Sequence, residues 1–136
     1  MSPAIRSIIL CEGIRKEDNG KEIFIGVYNG NIKFSKSAPG KIKTICFRIS
    51  LAKTESDGAY PFTFTVKSPS GAAVVRVEEE IKITPGPPLN IALTHEDFTL
   101  YEKGEYQMIA TCGEQQFEDT FTVTFGDEPS MAAVPV

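Results

Sequence analysis

The chain has 136 residues, 41% hydrophobic and 24% charged, enough for one domain with a full core and no need of disulfide or metal staples. Fourteen Lys and Arg against 18 Asp and Glu leave a net charge of −4, a poor balance for collecting phosphate backbones, so nucleic-acid partners are not expected. No apolar run approaches the roughly 18 residues of a membrane span, so no membrane partner is expected either.

The start, Met1-Ser2-Pro3-Ala4-Ile5-Arg6, lacks the form of a secretory signal, because the apolar stretch Ile8 to Cys11 is short and runs into charge. A first strand is predicted from about Ile5 to Ile14 and a second from about Glu22 to Phe34. Asn19-Gly20 between them suits a type I′ hairpin turn. Gly26, inside the second strand, signals a bulge or a close approach by other backbone. After the break at Ala38-Pro39-Gly40, Ile45, Phe47, Ile49 and Leu51 alternate with Thr44, Cys46, Arg48 and Ser50, which predicts a third strand from about Ile42 to Ala52. Asp57-Gly58 turns the chain into a fourth, Tyr60 to Lys67, where Phe62, Phe64 and Val66 share a dry face. Pro69-Ser70-Gly71 leads to a fifth from Ala73 to Val77, continuing through Ile81 and Ile83.

Pro85-Gly86-Pro87-Pro88 cannot donate a ladder of N–H groups and reads as a connection. A sixth strand follows at Leu89 to Leu93, then an irregular or one-turn segment from His95 to Leu100, with Asp97 as a helix cap. Glu105 to Cys112 and Phe117 to Phe125 form a last hairpin around Gly113-Glu114-Gln115-Gln116. The division expected is a single β-sandwich domain over 1–126 and a flexible tail over 127–136.

Short strands with turns every 8 to 14 residues or so predict an all-β sandwich or barrel. Glu102-x-Gly104-x-Tyr106-x-Met108 opens the penultimate strand and resembles the acid-x-Gly-x-Tyr-x-Cys pattern of immunoglobulin domains, in which the Tyr hydroxyl bonds back to the preceding corner. The resemblance implies an immunoglobulin-like antiparallel β-sandwich of about seven to nine strands. Met108 stands where that pattern has cysteine, and the chain has no Trp, so the inter-sheet disulfide and its packing partner are lacking.

A second resemblance lies in the first third. Ile9-Leu10-Cys11-Glu12-Gly13-Ile14-Arg15, Asn19-Gly20-Lys21 and Phe24-Ile25-Gly26-Val27-Tyr28 are similar to the opening of an uncharacterised family of small bacterial and phage-borne all-β proteins, a domain of unknown function. The resemblance implies a bacterial or prophage origin and carries no site residues.

Chemistry-bearing residues are sparse. His95-Glu96-Asp97 surrounds the one histidine, and a general base or a metal ligand there competes with a plain polar turn. The expected outcome is the turn, with no catalytic, cofactor-binding or metal residues and no cofactor. Three widely spaced cysteines, Cys11, Cys46 and Cys112, fit a reducing cytoplasm better than a disulfide framework. Cys11 among apolar neighbours and Cys112 on the parity of Tyr106 and Met108 read as core. Cys46 falls on the polar parity beside Arg48, and its reactivity depends on whether that face is covered. Glu55, Asp57 and the run Glu78-Glu79-Glu80 lack the loop spacing of a calcium site. Lys33, Lys36, Lys41, Lys43 and Lys53, near Phe34 and Tyr28, form only a faint outline of a base-stacking platform.

The function expected is a non-catalytic binding or assembly module that meets a protein partner, or itself, through an edge strand. Alternatives are a small enzyme using His95 with a carboxylate or thiol, and a ligand or carbohydrate binder using the loop aromatics Tyr28, Tyr60 and Tyr101.

Overall fold

Alternating apolar residues build nine strands in the computed structural model, which describes residues 2–55 and 57–126. They are β1 (Ile5–Lys16), β2 (Glu22–Val27), β3 (Asn31–Phe34), β4 (Gly40–Leu51), β5 (Gly58–Lys67), β6 (Ala73–Ile83), β7 (Asn90–Leu100), β8 (Gly104–Cys112) and β9 (Gln115–Phe125). A four-stranded sheet has the order β2-β1-β4-β7 and a five-stranded sheet the order β3-β9-β8-β5-β6. The two pack face to face as a sandwich. The expected tail, 127–136, lies outside the described residues.

The core is the meeting of the two dry faces. Ile45, Phe47, Ile49 and Leu51 of β4 are sealed from solvent, as are Phe62, Phe64 and Val66 of β5. The Phe47 ring lies 5.0 Å from that of Phe64, across the sheets, and 6.3 Å from that of Phe98. Tyr106 stacks on Phe121 at 5.1 Å, and its hydroxyl donates to the Glu102 carbonyl at 2.8 Å. Cys112 lies in the same core.

Three local expectations need correcting. The predicted second strand is two strands: the chain breaks at Tyr28-Asn29-Gly30, where Gly30 has φ +85°, and β3 crosses to the other sheet. There it runs parallel to β9, the one departure from an antiparallel plan among the described strands. The β1–β2 hairpin forms, but through a 3-10 turn over Asp18–Gly20 with Gly20 at φ +85°, not a two-residue type I′ turn. The segment from His95 to Leu100 is neither irregular nor helical. β7 continues to Leu100 because β4 offers a partner along its whole length, from Ser50↔Asn90 to Gly40↔Leu100. Asp97 caps nothing: it takes φ +55°, a left-handed conformation that Asp tolerates better than most side chains. The excursion resets the alternation, so that Phe98 and Leu100 turn inward.

Candidate functional site

The β1–β2 hairpin is the feature least explained by core packing. The β1–β4 ladder ends at Cys11↔Cys46, and β1 goes on to Lys16 with β2 alone. The departure is shaped at Glu12 and Gly26. Gly26 has φ +64°, a conformation that favours glycine, and a Cβ there would displace the Glu12 side chain. Past this bend the hairpin folds over the outer face of the four-stranded sheet. The Glu22 carboxylate accepts from Arg48 Nη2 at 2.6 Å, and the Arg48 guanidinium stands 5.3 Å from the centre of the Phe24 ring. The Arg48 and Glu22 side chains are only 14% and 18% exposed, and Arg48 Nε has no partner. A polar groove lined by Lys16, Glu22, Arg48 and Asn90 runs beneath the tip.

The opposite face of the hairpin is open and apolar. Ile23, Ile25 and Val27 are 43%, 49% and 46% exposed. Their cross-strand neighbours on β1 are Arg15, Gly13 and Cys11. Gly13 has no side chain to shelter Ile25, and a Cβ there would meet nothing within 4 Å. A row of three half-exposed aliphatic side chains therefore lies on a terminal strand of the sheet.

The other three terminal strands differ. β6 carries Arg76, Glu78, Glu79, Glu80 and Lys82 exposed. β7 carries exposed His95, Glu96 and Asp97 together with the left-handed residue. β3 is four residues long. Charge, backbone irregularity and shortness each discourage another chain from adding to a sheet. β2 has the Gly26 kink but keeps an uncharged row from Ile23 to Val27.

The residues singled out in the sequence are not drawn together. His95 is exposed on β7, with Nδ1 3.3 Å from the Glu96 carbonyl and its ring 5.1 Å from that of Phe98. The adjacent Thr94 points to the other face, where its hydroxyl donates to Cys46 Sγ at 3.7 Å, so the His95 ring and that thiol are on opposite sides of the strand. Glu78, Glu79 and Glu80 are strand residues, and Glu55 and Asp57 belong to the connection before β5. Among the described residues no group of three or more His, Cys, Asp or Glu side chains is placed to hold a metal ion. Phe34 stacks on Phe125 at 5.3 Å, so it is not free to stack on a base. Tyr28, in the break between β2 and β3, and Tyr60, on β5, are half-buried against the core, and Tyr101 is exposed after β7. They share no surface.

All three cysteines are reduced and buried. Cys46 keeps the polar parity its neighbours predict, yet it is only 2% exposed, with the Thr94 hydroxyl of β7 against its sulfur. Cys11 is directly opposite it on β1. Burial, and then the Cys46 thiol, push the Cys11 thiol above its ordinary value, and burial does the same to Cys112. At the far end of the sandwich the Glu102 carboxylate accepts from Ser70 Oγ at 2.7 Å and from Ser70 N at 3.1 Å. The Ser70 hydroxyl, and then that of Ser68, hold Glu102 below the usual carboxylate value.

Sequence reading missed the exposed row on β2. The alternation of Ile23, Ile25 and Val27 was visible, but apolar alternation alone signals a buried face. Only the bend at Glu12 and Gly26 turns that face outward.

The hairpin is built from the residues that carry the N-terminal resemblance: Leu10-Cys11-Glu12 at its base, Asn19-Gly20-Lys21 at its tip and Ile25-Gly26-Val27-Tyr28 on its return. No curated protein matches the chain. Residues 6–124, from β1 into β9, match a family of unknown function (DUF6941), and the chain belongs to that family.

Proposed function

We propose that the protein is a non-catalytic binding or assembly module, of bacterial or prophage origin and working in the cytoplasm, that receives an extended segment of a protein partner along β2. The observation that carries this reading is the half-exposed row Ile23, Ile25 and Val27 on a terminal strand, where the other three terminal strands are charged, irregular or short. An added strand would bury these side chains and satisfy the outer backbone groups of β2 together. The immunoglobulin-like reading is supported by strand order. The run β9-β8-β5-β6 follows the G-F-C-C′ order of variable-type domains, and Tyr106 stands at the start of β8, the counterpart of F. The origin is supported by the resemblance of the opening hairpin, and the compartment by three reduced cysteines.

The test uses the tagged full chain as bait in its native lysate, compared with Ile25→Lys and with Glu79→Lys on β6. Ile25→Lys sets a charge in the middle of the row and leaves the core untouched. A protein retained by the wild type and by Glu79→Lys, but lost with Ile25→Lys, supports the reading. Equal retention by all three baits refutes it.

A further inference from the structure

We propose that Cys11 and Cys46 form a dithiol site that a peroxide oxidises to an intramolecular disulfide. The two residues are directly opposed on neighbouring antiparallel strands. Residues so opposed have Cα atoms about 4.5 or 5.5 Å apart, according to which kind of pair they form. Both values lie inside the roughly 4.4–6.8 Å range that a disulfide spans, so closure needs no movement of the sheet. Opposed residues also project to the same face, so the two thiols stand side by side on one face of the sheet. The Cys11 thiol has the Gly13 carbonyl 3.4 Å away, and Cys46 Sγ has the Thr94 hydroxyl 3.7 Å away. Cys112 provides an internal contrast. It faces the core from β8, opposite Phe62 and Gln115, with no thiol across from it.

The reaction balances with one peroxide. The Cys46 thiolate attacks a peroxide oxygen, the O–O bond breaks, and Cys46 becomes a sulfenic acid as the first water leaves. The Cys11 sulfur then attacks the Cys46 sulfur, the S–O bond breaks, and the second water leaves. The two sulfurs together give up two electrons, and the two thiol protons end in the waters. Exchanging the roles of the two sulfurs gives the same disulfide and the same two waters. Both sulfurs are shut off from solvent, Cys11 at 0% and Cys46 at 2% exposed. The peroxide therefore reaches them only when the strands around them open locally, and the reaction is slower than that of an open thiol. A disulfide that forms slowly and reverses on reduction suits a cytoplasmic sensor. The site does not depend on what β2 binds.

The test is incubation of the folded full chain with hydrogen peroxide, followed by unfolding, thiol titration and non-reducing peptide mapping. The expected result is a fall from three free thiols to one, a peptide joining Cys11 to Cys46, Cys112 still free, and full return of thiols with dithiothreitol. In Cys46→Ala the cross-link disappears. Because the mapping is done on the unsubstituted protein, the result stands even if that variant folds poorly. No loss of thiols, a disulfide between two chains, a cross-link through Cys112, or oxidation of one cysteine that dithiothreitol does not reverse would each overturn the proposal.

Discussion

Tyr106→Phe isolates one bond. The substitution keeps the ring that stacks on Phe121 and removes only the hydroxyl that donates to the Glu102 carbonyl at 2.8 Å. Tyr106 is 1% exposed, so no water takes the place of the lost donor from the ring side. A neutral hydrogen bond contributes about 1 kcal/mol net, and an acceptor left unpaired raises the loss toward about 2. Glu102 is only half-buried, so water partly rescues its carbonyl, and the expected cost is about 1–1.5 kcal/mol. With a urea slope of about 2 kcal/mol per molar, the midpoint falls by about 0.5–0.75 M at unchanged slope. Tyr28→Phe is the control. Tyr28 is half-buried and has no hydroxyl partner among the described residues, so its midpoint stays within about 0.5 kcal/mol of the wild type. Equal midpoints for Tyr106→Phe and the wild type would refute the reasoning, as would a loss in Tyr28→Phe as large as that in Tyr106→Phe.

Three further outcomes are expected. Arg48→Met leaves the sheltered Glu22 carboxylate without its partner and costs about 2 kcal/mol in urea denaturation, while Arg48→Met with Glu22→Leu recovers to within about 1 kcal/mol of the wild type; a double variant no better than the single would count against this account of the pair. Cys11, Cys112, Tyr28 and Tyr106 all hold their protons more tightly folded than unfolded, chiefly through burial, so the stability they contribute is complete below their unfolded values and is lost as pH rises beyond about 9; a midpoint flat from pH 8 to about 11 would contradict the sign. His95→Ala changes stability by under about 1 kcal/mol and leaves metal content at background, and stoichiometric metal lost in the variant would show that His95 is a ligand.

The strands that were legible in the sequence are those whose two faces meet simple surroundings. β5, β8 and β9 alternate between the core and a more open face, and their boundaries fall within a few residues of the predicted ones. The misread segments depend on distant partners. His95-Glu96-Asp97 has the composition of a turn, but ten opposed pairs with β4 hold it extended, and the conflict is absorbed by one left-handed residue. The split of the predicted second strand was signalled only by Asn29-Gly30, while the partner of β3 lies some ninety positions later in the chain. Cys46 shows the limit most clearly. Its parity was read correctly, but its burial depends on β1 and β7, which set Cys11 and Thr94 beside it and which no local pattern encodes. The outward turn of Ile23, Ile25 and Val27 depends on the bend at Glu12 and Gly26, so the candidate docking edge was hidden as well.

The parallel pairing of β3 with β9 has a consequence during synthesis. Asn31 opposes Thr122 and Phe34 opposes Phe125, so β3 waits for nearly the whole chain before it has a neighbour. Until then Ile32 and Phe34 have no sheet to join, and β8 too lacks a flanking strand. Pairings of such wide separation close late and slowly, after the local hairpins have formed. A nascent chain halted in the β8–β9 turn thus carries two unfilled strand edges, the kind of surface that aggregates or calls for a chaperone. β9, made some ninety residues after β3, thus completes a sheet position begun in the first third of the sequence.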